Sequence, residues 1–295
     1  MQSYKDTNDQ CQAGSAAFSL EKYFLYVGLS GFFPAQLTLQ ALKTIIEHHL
    51  STFNYQNSIL YNAGKMPADT RVIPTLDIND LFALMIRKKG GYCFQHLELL
   101  FAVLSAAGFN VDRRLAKVIM QPCAQLDSAD MPDLPKTHES LVVHLDGKHY
   151  LVDVGMANQS IRGPLELKEG EQTIDDDQYR LIKTGELWRL DTKTVRDNEW
   201  LCLYQFFNTP VQHNEIEKAH INLYLTEKSI PIRDDKLLIG QTTLEKRKYL
   251  MWLCTGAGFG IFRSIKKDSD DAPKTRKFSS YEEVEAFAKK KFGTH

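Results

Sequence analysis

At 295 residues with 43% hydrophobic content, the chain can bury one or two substantial cores, and its length allows two or three domains. Its net charge of −1, from 36 basic and 37 acidic residues, excludes a nucleic-acid-binding polycation and an acidic tail. Five scattered cysteines, Cys11, Cys93, Cys123, Cys202 and Cys254, argue against a disulfide framework and for a reducing compartment. The N-terminus lacks a basic region followed by an apolar run, and no apolar stretch reaches membrane-spanning length. The expectation is a cytoplasmic protein without a membrane or nucleic-acid partner, with leaderless export as the alternative.

Residues 1 to about 105 read as helical, because Leu20 to Val27, Pro34 to His49, Ile78 to Lys88 and Tyr92 to Ala107 carry apolar residues at three- and four-residue spacing. Asp77 or Asn79 is placed to cap the third of these. From about 108 to 210 the pattern changes to alternation and turns. Val111 to Met120, Ser140 to Val154 around Asp146-Gly147, Gln178 to Leu190 around Thr184-Gly185, and Glu199 to Phe206 read as strands. A loop with Pro122, Pro132 and Pro135 separates the first two. Beyond Asn208 the pattern is mixed: a helix from His213 to Lys228, a strand from Lys236 to Thr242, a helix from Leu244 to Cys254, a strand from Gly260 to Ile265, and a last helix opened by a Ser280/Glu283 capping pair.

The chemistry concentrates in KKGGYCFQHLELL, Lys88 to Leu100. A thiol at a helix start lies beside free N–H groups and the positive end of the dipole, which favours the thiolate. Cys93 is therefore a candidate nucleophile, although a free cysteine more often behaves as a small buried hydrophobe. A nucleophile needs a base and a group to orient that base. THESLVVHLDGKHYLVDVG, Thr137 to Gly155, contains His138 at the head of one strand and Asp153 on the returning strand of a hairpin. The fold can thus bring Cys93, His138 and Asp153 together.

These segments resemble the arylamine N-acetyltransferase family. KGGYCFQ, THESLVV and VDVG are similar, in order, to the family's cysteine, histidine and aspartate motifs. Leu20 to Asn57 looks like its opening helices, and GPLELKEGEQ and WLCLYQFF like its later strands. The resemblance covers about residues 20 to 245. It implies an α+β fold in the papain-like cysteine-enzyme arrangement: an N-terminal helical bundle over 1–107 carrying the nucleophile, a central antiparallel β-barrel over 108–210 carrying His138 and Asp153, and a C-terminal α/β lid over 211–295. It further implies ping-pong transfer of an acetyl group from acetyl-CoA through a Cys93 thioester to an arylamine, arylhydrazine or arylhydroxylamine. Phe94, Gly155 and Met156 fall where the resemblance implies an acceptor cleft, with Phe94 as a core residue the competing reading. It assigns no CoA-binding residues. A related acyltransferase or amide synthase, a cysteine-peptidase-like hydrolase, and a non-catalytic binding protein are the alternatives on the same constellation.

Several positions depart from the family pattern. Lys89 and Gln56 stand where it has an arginine and a glutamate, and are expected to keep a hydrogen bond in place of an ion pair. Gln95 and Leu97 replace a glutamate and an asparagine. Met156-Ala157-Asn158 replaces a glycine-containing loop and is expected to narrow or reshape the cleft. Weaker features have plain readings. Gly256 to Gly260 is a helix cap and turn, the Lys266 to Lys277 cluster a solvated loop with a CoA phosphate contact as the alternative, Cys202 and Cys254 core, and His48 and His49 helix packing and surface. Cys93 and His96 lack a second pair at ligand spacing, so no metal is expected.

Overall fold

The computed structural model describes residues 17–32, 34, 36–126, 134–194, 199–254, 258–266 and 274–294. Helix α1 (Leu20–Tyr26) is capped by Ser19, whose hydroxyl accepts from Lys22 N. Helix α2 (Leu39–Thr52) starts five residues later than its apolar spacing suggests, because Thr38 accepts from Ala41 N and fixes the first turn there. Its Leu42, Ile45, Ile46, His49 and Leu50 form one buried stripe. Helix α4 (Ile78–Lys88) is capped by Asp77 and stops at Lys89, which is left-handed at φ 60°.

Three short elements were not legible in the sequence: strand β1 (Asn54–Gln56), helix α3 (Ser58–Gly64) and strand β2 (Gly90–Gly91). Strands β1 and β2 pair in parallel, and a Cβ on Gly90 would lie 1.8 Å from Asn54 O. The glycine is therefore required for the chain to turn directly into α5 (Cys93–Ala106). That helix is apolar on most faces, and its first eight residues are all buried.

An eight-stranded sheet follows, antiparallel throughout: β3 (Asn110–Pro122), β4 (His138–Leu145), β5 (Lys148–Val152), β6 (Leu165–Glu166), β7 (Gly170–Ile174), β8 (Asp177–Thr184), β9 (Leu187–Thr194) and β10 (Leu201–Phe207). Its order is β6-β5-β4-β3-β10-β9-β8-β7, so the two edges are consecutive in the chain. Gln172 Nε2 donates to Glu166 O at 2.8 Å across those edges, drawing the sheet toward a closed barrel. Alternation along β4 sends Val142 into the barrel core with Leu151, Leu181 and Leu203, while Leu141 and Val143 pack against the helices.

The remainder comprises helices α6 (His213–Leu225) and α7 (Pro231–Asp234), strands β11 (Lys236–Thr242), β12 (Lys246–Leu253), β13 (Phe259–Lys266) and β14 (Lys274–Phe278), and helix α8 (Tyr281–Phe292). These strands join β1 and β2 in a six-stranded sheet ordered β14-β13-β12-β11-β1-β2. The expected helix over Leu244 to Cys254 is instead strand β12. Its Leu, Lys and Arg content favours helix, but every residue of β12 pairs with β13, and cross-strand packing overrides that weak preference. Cys254, just beyond it, is exposed and not core. The glycine cluster consequently follows a strand, not a helix. A Cβ on Gly258 would meet the Trp252 ring at 2.5 Å, while Gly256 and Ala257 lie outside the described residues. In the basic cluster Lys274, Arg276 and Lys277 belong to β14, not to a loop, and residues 267–273 lie outside the described ones. No helix among the described residues is long and apolar enough to cross a membrane.

Candidate active site

Cys93 is the first residue of α5 and is 2% exposed, with Sγ 3.5 Å from Thr137 O. Tyr92 N donates to Gln95 Oε1 at 3.3 Å, so the glutamine side chain closes the helix start in place of a glutamate. Thr137 leads into β4, whose first residue is His138. The imidazole Nε2 lies 2.7 Å from Asp153 Oδ2, and Cys93, held against the carbonyl of the preceding residue, is among the groups that raise the imidazole. Asp153 sits one residue beyond the end of β5, not within the strand as expected, because pairing with β4 stops at Val152. Freed from the ladder, its carboxylate also accepts from Gly155 N at 2.8 Å.

All three side chains are buried. Burial alone would lower His138, but the charge of Asp153 and its hydrogen bond, reinforced by Cys93, raise the imidazole to about 10. It therefore holds its proton more tightly than a free imidazole does. The Tyr204 ring packs 5.1 Å from it, centroid to centroid. A thiol at a helix start, with a histidine and a hydrogen-bonded carboxylate on the adjoining strands, is an arrangement that can support acyl transfer through a covalent thioester.

Comparison with known proteins narrows the reaction class. A family model described as N-acetyltransferase matches residues 38–295. The chain is 32% identical over 208 residues to an arylamine N-acetyltransferase of Mycolicibacterium smegmatis, covering 68% of this chain and 69% of that protein. The chain belongs to the arylamine N-acetyltransferase family. Among solved structures, the M. smegmatis arylamine N-acetyltransferase superposes with a TM-score of 0.75 at 26% identity over 95% of this chain and 93% of that one. The Mycobacterium marinum arylamine N-acetyltransferase in complex with CoA shares the fold, with a TM-score of 0.74 at 24% identity over 94% of this chain and 93% of that one.

Within this N-acetyltransferase fold, Gly155 is a packing requirement. A Cβ there would lie 2.4 Å from Leu97 Cδ2 and 3.0 Å from Cys93 Cα, so the glycine lets the loop after Asp153 dock on the first turn of α5. Leu97 thus has an apolar role in that contact. The loop closes on itself through Ile161 N to Asp153 O at 2.9 Å and Met156 N to Ser160 Oγ at 3.0 Å. Ala157 holds φ at 54°, so an alanine occupies a conformation that favours glycine. The six-stranded sheet grips this loop from outside. Thr242 Oγ1 donates to Ala157 O at 3.2 Å, and Arg247 Nη1 donates to Asn158 O at 2.6 Å and Ser160 O at 3.0 Å. Arg247 is itself held by the Asp177 carboxylate.

Other expected positions fall as follows. Phe94 is fully buried, its ring 5.5 Å from that of His220, and Met156 is partly buried against the barrel core. Lys89 and Gln56 do not pair. Gln56 Nε2 donates to Lys88 O, whereas Lys89 Nζ turns to Tyr26 OH at 3.5 Å, because the left-handed turn at Lys89 points its side chain away.

Beneath α5 lies a group the sequence reading missed. Tyr23 OH is 2.9 Å from His49 Nδ1, His49 Nε2 is 2.9 Å from His96 Nδ1, and His96 Nε2 is 3.1 Å from Asn54 O. A carbonyl only accepts, so His96 Nε2 carries a proton. His49 Nε2–H then donates to His96 Nδ1, and Tyr23 donates to His49 Nδ1. Burial lowers His49 well below its usual value and His96 to about 4. The available signal was that His49 shares the buried stripe of α2. His48, its neighbour, is partly buried and bonds Val27 O at 2.8 Å.

Proposed function

We propose that this protein transfers an acetyl group from acetyl-CoA to a small aromatic amine, hydrazine or hydroxylamine by a ping-pong route through Cys93. The packing of Cys93 Sγ against Thr137 O, directly before His138 in the chain, with His138 fixed by Asp153 at 2.7 Å, carries the reading. Cys93 Sγ, its proton held by His138, attacks the acetyl carbonyl. Collapse of the tetrahedral adduct breaks the bond to CoA sulfur, and His138 supplies the proton that leaves with CoA. The acetyl group then rests on Cys93 as a thioester of reactivity similar to that of the donor. An amine nitrogen attacks this carbonyl, His138 takes the amine proton, and Cys93 departs with the bonding pair. Asp153 fixes the tautomer throughout and stabilises the charged imidazole.

The CoA complex of the M. marinum relative supports a CoA thioester as donor. Phe94, Gly155 and Met156 are proposed to border the acceptor, on the basis that Phe94 adjoins Cys93 in the chain and Gly155 touches it in space. A different amine or acyl donor is favoured by one observation, the Met156-Ala157 pair in this loop, and a panel of acyl-CoA thioesters against several amines separates the two.

Intact mass after incubation with acetyl-CoA tests the reading. One acetyl group mapping to Cys93, with one CoA released and the label discharged by an added arylamine, is expected. Absence of the adduct would overturn it.

A further inference from the structure

A second ionisable cluster lies behind the reactive pair. Glu139 follows His138 on β4 with its side chain on the opposite face of the strand, fully buried, and Glu98 of α5 is 5% exposed. Arg113 of β3 donates to Glu98 through Nε and through Nη2, the latter at 3.1 Å, with its guanidinium 3.3 Å over the Phe101 ring. Its Nε stands 3.8 Å from Glu139 Oε1, too far to donate a hydrogen bond. His213, at the start of α6 and 44% exposed, brings Nδ1 within 2.9 Å of Glu98 Oε2 and Nε2 within 3.5 Å of Glu217. Among the described residues, both oxygens of Glu139 are buried with no hydrogen-bond partner.

A bare carboxylate in that position is strongly disfavoured, and two carboxylates sharing a site do not both ionise. A proton on Glu139 itself, directed at the neighbouring Glu98 carboxylate, supplies a donor without any further group. We propose that Glu98 and Glu139 hold one proton between them, so that with Arg113 they form a charge-neutral wall behind Cys93 and spare it a further neighbouring anion. The charged and titratable groups facing Glu139 are Cys93 and Glu98 from α5 and Arg113 from β3, with His213 of α6 reaching the cluster through Glu98. Burial, then Glu98, raise Glu139 well above the usual carboxyl range, in keeping with this arrangement. Glu139, Glu98 and Arg113 are positioning residues: they act on the thiol through its electrostatic surroundings. The proposal rests on Cys93 being the reacting thiol.

The test is the pH dependence of Cys93 alkylation by iodoacetamide on the full chain, read at the Cys93 peptide by mass spectrometry, which needs no acyl transfer. Glu139→Gln, an uncharged isostere, is expected to leave the midpoint unchanged. Arg113→Met leaves the carboxyl pair with one net negative charge and is expected to raise the midpoint by about one unit, roughly tenfold slower alkylation below it. Adding Glu98→Gln to Arg113→Met restores neutrality and is expected to rescue the profile, which simple loss of packing at Arg113 would not allow. Infrared spectroscopy provides a second measurement should Arg113→Met fail to fold. A protonated-carboxyl stretch is expected in the wild-type protein at neutral pH and lost in Glu139→Gln. No such band, or a midpoint moved by Glu139→Gln, overturns the proposal. Failed acetyl labelling with these alkylation results intact would instead count against the transferase reading alone.

Discussion

His138 and the histidine pair beneath α5 are equally buried, yet their protons are held in opposite ways. His138 is raised to about 10, whereas His96 is lowered to about 4 and His49 falls well below its usual value. Burial pulls all three down. The difference is the partner: a carboxylate 2.7 Å away for His138, and only neutral groups, a phenol, an imidazole and a carbonyl, along the chain from Tyr23 to Asn54. One residue type is thus a charged participant in one place and a neutral brace in another, and the side chain opposite it decides which.

The most forceful way to break this contrast is to remove the carboxylate. Asp153→Asn should drop His138 toward the behaviour of the neutral pair and reduce Cys93 acetylation by about 10³ to 10⁴, as in other triad enzymes. Stopped-flow release of CoA measures it, and near-normal rates would refute the role given to Asp153. Cys93→Ala should abolish the adduct altogether and supplies the baseline.

Next in size are the two pH limbs of stability. Folded His138 binds its proton more tightly than the unfolded chain does, so its contribution is complete below about pH 6.5 and lost as pH rises through about 10. Folded His96 binds its proton less tightly, so its contribution is complete above about pH 6.5 and lost as pH falls toward about 4. The alkaline limb is worth on the order of 5 kcal/mol and the acid limb on the order of 3 kcal/mol. Urea unfolding across pH should show Asp153→Asn flattening the alkaline limb while leaving the acid limb in place.

Smaller again is Tyr23→Phe, which removes the donor at one end of the neutral chain. A loss of about 1–3 kcal/mol in chemical denaturation is expected, for a buried acceptor left without its partner. The Cys93 alkylation profile should not move, and a shift there would mean the two histidine systems are coupled. Least is Ala157→Gly. Relief of the left-handed backbone, worth about 1–2 kcal/mol, is opposed by roughly 0.8 kcal/mol of lost methyl burial, so thermal unfolding should change by about 1 kcal/mol or less.

Much of this was readable in the chain before its fold was known. The motifs around Cys93, His138 and Asp153 and the hairpin at Asp146-Gly147 led directly to residues that meet in space, because turn chemistry and strand alternation are local properties. The strand at Lys246–Leu253 was not readable, since its composition favours helix and its pairing with β13 is a property of partners elsewhere in the chain. Strands β1 and β2 were too short to carry a period. Lys89 and Gln56 looked like substituted partners, but a left-handed turn separated them, and no pattern of residue types encodes that direction. Glu98 and Arg113 are ordinary surface residues by type, and only burial distinguishes them.

The grip of Thr242 and Arg247 on the Asp153 loop bears on how the protein is made. A chain leaving the ribosome presents Cys93, His138 and Asp153 long before the strands that hold this loop have been translated. β1, beside the cysteine turn, likewise waits for β11, and Asn54 Nδ2 waits for Phe292 O at 2.9 Å, almost the last residue described. The thiol is therefore synthesised early and set late. A nascent fragment carries Cys93, His138 and Asp153 without the frame around them, which is complete only once β11, β12 and α8 have docked.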